Sequence, residues 1–68
     1  MGNIFKVRLK ELREEKGIGQ VELSLGLGVS KGVISLWENG HREPTMSSLI
    51  AISKYFGVSI DYLVGLEQ

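Results

Sequence analysis

The chain has 68 residues, no cysteine, and eight basic residues against eight acidic ones, for a formal net charge of zero. That length admits one small domain, spanning 1–68, and excludes two. The missing cysteines exclude a disulfide framework, so helix packing, with or without a partner subunit, has to supply the stability.

Ile4, Phe5, Leu9 and Leu12 recur at helical spacing with charges opposite them, which predicts a first helix over residues 4–16. Gly17-Ile18-Gly19 ends it, and a short second helix follows over 20–27 with Gly19 as a second-rate cap. Gly28 falls where that helix must stop, and Ser30 caps a third helix running to Glu38. Asn39-Gly40 is a strong turn signal that opens a loop ending at Pro44. Thr45 or Ser47 then caps a fourth helix whose Leu49, Ile50, Ile52, Tyr55 and Phe56 are expected to face inward, with Gly57 past its end. Ser59 caps a last short helix to Val64, carrying Ile60, Leu63 and Val64. No β-alternation and no repeat interrupts this pattern. The expected fold class is all-α, a compact bundle of five helices.

Two short helices joined by a glycine-containing turn form a helix-turn-helix, which lays its second helix in a DNA major groove. At about 100° per residue, Ile34 and Trp37 lie about 60° apart and define the buried stripe of the third helix. Gly32, Ser35, Leu36 and Asn39 then point away from the core, with Lys31, Val33 and Glu38 on the flanks. The charge distribution fits one DNA face. Lys6, Arg8, Lys10, Arg13, Lys16, Lys31 and Arg42 leave residues 1–42 mildly basic despite five glutamates, and the remainder is mildly acidic.

The chain resembles the Cro/C1-type, phage-repressor-like (XRE) helix-turn-helix family over residues 5–65. The resemblance is carried by Arg8-Leu9-Lys10-x-Leu12-Arg13, by Gln20-x-x-Leu23-Ser24-x-x-Leu27-Gly28-Val29-Ser30, and by Ile34-Ser35-x-Trp37-Glu38-Asn39-Gly40. Arg42-Glu43-Pro44-Thr45, Leu49 and Phe56-Gly57-Val58-Ser59-Ile60-Asp61-Tyr62-Leu63 complete it. The resemblance implies a lambda-repressor-like domain that binds a two-fold symmetric operator in double-stranded DNA as a homodimer, most often as a repressor.

Residue by residue, the resemblance implies base contacts from Lys31, Gly32, Val33, Ser35 and Leu36. It implies phosphate contacts from Gln20, Ser30, Asn39, His41 and Arg42, and an ion pair between Arg13 and Glu38. Ile60, Tyr62 and Leu66 would serve the dimer interface. The base-reading face departs from expectation, because it holds no arginine, asparagine or glutamine to grip a base with two hydrogen bonds. Ser35 bonds several bases, Leu36 and Val33 suit thymine methyl groups, and Gly32 permits close approach at about 1 kcal/mol of helix propensity. Ser24 stands where the family usually has alanine, so its hydroxyl must find a carbonyl within its own helix. Gly28 is expected at positive φ, and Gly26 is a helix weakness without a functional reason.

The same departure supports a second reading, a protein-interaction module of adaptor or antitoxin type that keeps the fold with little specific DNA binding. Enzymatic chemistry is not expected: no nucleophile has a neighbouring base, and no phosphate-cradling loop or metal set is present. No cofactor or small-molecule ligand is implied, while a protein antagonist remains compatible with the small size. Neither a membrane span of about 20 apolar residues nor a leader is evident, and Lys6 stands where an acylation signal needs Ser or Thr. Action in the cytoplasm is the expectation.

Overall fold

The computed structural model describes residues 2–67, with side chains from residue 4 onward. Five helices follow one another: α1 (Gly2–Lys16), α2 (Gln20–Leu27), α3 (Lys31–Glu38), α4 (Met46–Phe56) and α5 (Ile60–Val64). The first begins two residues earlier than the apolar spacing predicts, because polar residues can extend a helix without adding to its stripe.

Short hydroxyl side chains set the starts. Ser30 accepts from the Val33 N–H at 3.2 Å, Thr45 from Ser48 at 3.2 Å and Ser59 from Tyr62 at 2.9 Å, each satisfying a donor that the first turn leaves unpaired. Of the two candidates before α4, Thr45 is the cap, and Ser47 hydrogen-bonds to its hydroxyl. Gly28 closes α2 at φ +72°, a left-handed conformation that costs glycine nothing and other residues strain.

Each helix sends at least one fully or nearly buried side chain to a common core: Phe5 and Leu9, Leu23, Ile34 and Trp37, Leu49 and Ile52, and Leu63. Phe5 and Trp37 meet edge to face with centroids 6.3 Å apart. The Trp37 indole N–H finds no acceptor among the described residues, so packing alone holds the ring. Ile50 is a correction to the inward face of α4. It is 41% exposed, because α4 packs on α2 and α5 and leaves the flank of Ile50 and Met46 uncovered.

Two contacts explain residues that helix periodicity leaves unaccounted for. Ser24, a buried polar residue of the core, donates its hydroxyl to the Val21 carbonyl at 2.7 Å, within its own helix. Gly26 lies directly beneath Tyr55: a Cβ there would come within 2.4 Å of the ring. Tyr55 in turn stacks edge to face on Phe56 and carries the Lys16 ammonium 5.3 Å from its centroid. One aromatic ring thus ties α1, α2 and α4 together, and only a residue without a side chain fits under it.

Candidate nucleic-acid interface

The turn between α2 and α3 is rigid by construction. The Val29 N–H reaches back to the Ser24 carbonyl at 3.1 Å, and the next residue, Ser30, caps α3, which starts at Lys31. Leu23, Ile34 and Trp37 bury the facing edges of the two helices, with Leu27 and Val29 packed beside them. The opposite edge of α3 is consequently presented outward.

Along that edge Lys31 and Gly32 are exposed, and Ser35 and Leu36 are half-buried. A Cβ at Gly32 would meet only the Ser30 hydroxyl, at 3.8 Å, so nothing inside the molecule requires glycine there. Val33 is half-buried and packs against the core, which places it between the two edges rather than on the outer one. Asn39 folds its amide back onto the Ser35 carbonyl at 2.9 Å and the Ser35 hydroxyl at 3.3 Å. His41 and Arg42 are exposed on the loop that follows. Ser30 uses its oxygen as acceptor for the cap, leaving its O–H to donate outward.

Glu38 is turned inward rather than lying on a flank. Its carboxylate, with a side chain only 4% exposed, meets Arg13 through two bonds: Nε to Oε2 at 2.6 Å and Nη2 to Oε1 at 3.0 Å. Such a two-pronged pair is both stronger and more directional than a single contact. The hydrogen bond to Glu38 holds the Arg13 guanidinium above its ordinary pKa, against the opposing effect of burial. Arg13 also donates to the Ile18 carbonyl at 3.0 Å, and the Gln20 amide donates to Glu38 Oε1 at 3.0 Å. The end of α1, the entry to α2 and the end of α3 are therefore bound at one point. Gln20 serves this junction as well as standing at the first turn of α2, whose Gly19 cap supplies no side-chain acceptor. Sequence spacing gave no sign of the Gln20–Glu38 bond, which joins residues from two different helices.

At the other end of the molecule, Arg8 donates to the Tyr62 and Glu67 carbonyls and lies 4.3 Å from the Tyr62 ring centroid. Tyr62 is thus half-covered by α1, and Ile60 packs on the core. Leu66 is 77% exposed, and Ile4 and Val7 are exposed on α1, with Ile4 in contact with Gly65. Of the three residues matched to a dimer interface, Leu66 is the one left open, and Ile4 and Val7 extend its apolar surface. No group of acidic, histidine or cysteine side chains able to hold a metal occurs among the described residues. No described helix is long and apolar enough to cross a membrane.

A helix-turn-helix family model matches residues 9–63. The chain is 44% identical over 64 residues to the HTH-type transcriptional activator BcrR of Enterococcus faecalis, covering 94% of this chain and 31% of that protein. It is 34% identical over 61 residues to the HTH-type transcriptional regulator ImmR of Bacillus subtilis, covering 90% of this chain and 48% of that one. The chain therefore spans less than half the length of each of these two relatives. Among solved structures, it superposes on the P22 c2 repressor in complex with a synthetic operator with a TM-score of 0.84 and 37% identity, covering 88% of this chain and 91% of that one.

Proposed function

Because this chain belongs to the Cro/C1-type helix-turn-helix family of transcriptional regulators, we propose that it binds a specific DNA operator and represses transcription there. The observation that carries the reading is the asymmetry of α3. Ile34 and Trp37 hold one edge in the core, while Lys31, Gly32, Ser35 and Leu36 form an edge that the fold does not need.

In this reading α3 enters the major groove. Lys31 donates to guanine O6 and N7, Ser35 reaches a neighbouring base, and Leu36 with Val33 packs on thymine methyl groups. Gly32, with open space around it, brings the helix backbone close to the base edges. Such readout is modest, and DNA shape supplements it. Gln20 and Ser30 at the starts of α2 and α3, with Asn39, His41 and Arg42 after α3, fix the register on the phosphates. A homodimer built through Leu66, with Tyr62 and Ile60 behind it, sets two recognition helices about 34 Å apart on a two-fold symmetric site. The relatives' names include both activators and repressors; repression is the sign we assign, because occupation of an operator suffices for it.

Selection of bound duplexes from a random pool, repeated at two salt concentrations, tests the proposal. The expected result is an enriched palindrome whose binding weakens steeply with salt, and less steeply after Lys31→Ala or Arg42→Ala. Absence of any enriched sequence, with no effect of either substitution, contradicts it and favours a protein-binding module.

A further inference from the structure

We propose that Lys6, on the first turns of α1, is a further phosphate-binding residue of the DNA interface. The inference rests on the reading of α3 as the recognition helix. It starts from the turn that ends that helix. Gly40 stands there at φ +75°, and the Lys6 stem lies across it: a Cβ on Gly40 would fall 3.1 Å from Lys6 Cδ and 3.6 Å from Nζ. A lysine normally trails into solvent with its charge unplaced. This one is half-buried along its stem, and the missing side chain of Gly40 provides the space.

The ammonium has no evident duty inside the molecule. No described carboxylate pairs with it. A cation at the end of a helix can serve the terminal carbonyls, yet here those of Ser35, Leu36 and Trp37 already have partners. Asn39 N–H donates to Ser35 at 3.0 Å, Gly40 N–H to Trp37 at 3.2 Å and His41 N–H to Leu36 at 2.8 Å. The charge is thus held beside the exposed residues His41 and Arg42, where the loop leaves α3. A helix seated in the major groove directs its following loop at the sugar-phosphate strand. Lys6 adds a second cation beside Arg42 from a distant part of the sequence, held in place in advance.

The test is duplex binding by Lys6→Met, which keeps an unbranched stem over Gly40 and removes the charge. Lys54→Met, an exposed lysine on α4, gives the same change in net charge. The probes are the duplex selected for the wild-type protein and a scrambled duplex of equal length. Lys6→Met is expected to weaken both by about tenfold near 50 mM salt and to lower the salt slope by about one. Lys54→Met should leave both within about twofold, and thermal melting should confirm that both variants fold. Equal losses from the two variants would overturn the proposal, since net charge alone would then explain them. Unchanged binding by Lys6→Met, with Arg42→Met still weakened, would overturn it while leaving the interface reading intact. Wild-type protein that binds no duplex would remove both.

Discussion

In α2, Gly26 lies under the Tyr55 ring with no room for a Cβ; in α3, Gly32 faces open space. Both sit inside a short helix, where glycine costs about 1 kcal/mol relative to alanine. Tertiary packing accounts for the first: α2 and α4 approach closely only because Gly26 has no side chain. Nothing in the monomer accounts for the second. The difference separates a residue required by the fold from one that the fold leaves free. The same division runs along α3 itself, between the edge of Ile34, Trp37 and Glu38 and the edge of Lys31, Gly32, Ser35 and Leu36.

The sharpest way to break the inner side of that comparison is Glu38→Ala. It leaves Arg13 without its carboxylate at a junction of three elements. For this part-buried pair the loss should fall between about 1 kcal/mol, as for an exposed pair, and about 3–5 kcal/mol, as for a fully buried one. Urea unfolding should show that loss. A loss below about 1 kcal/mol would mean that the junction behaves as an exposed pair. Gly26→Ala comes next. Despite the gain in helix propensity, forcing Tyr55 aside should destabilise by about 1–3 kcal/mol, and pairing it with Tyr55→Leu should recover much of the loss in thermal melting. The smallest effect has the opposite sign. Gly32→Ala should stabilise the free domain by up to about 1 kcal/mol while weakening operator binding, so melting temperature and affinity move in opposite directions.

The helix starts and stops are legible in the chain because their causes are local. Ser30, Thr45 and Ser59 cap within three residues, and Gly28 and Gly57 terminate the helices they follow. Ile50 is not legible in this way. It sits one residue past buried Leu49, and whether that flank is covered depends on where α2 and α5 dock. Helix angles alone place Glu38 on a flank; its pair with Arg13, 25 residues earlier, which draws it inward, is legible only through the family resemblance that implies it. Gly26 beneath Tyr55 and Lys6 across Gly40 are contacts between helices and loops remote in sequence, to which no periodicity responds. The outer edge of α3 is easier to locate from the chain, since its residues are what remains once Ile34 and Trp37 are assigned to the core.

The claim that this outer edge meets base pairs is tested most directly by changing one of its side chains and reading the DNA it prefers. Leu36→Gln replaces an apolar contact with an amide able to make two hydrogen bonds to adenine. Duplex selection in parallel with the wild-type protein should then show adenine replacing the original preference at one position in each half-site, with every other position retained. An identical preferred sequence for both proteins would contradict the account, because Leu36 would then lie away from the bases.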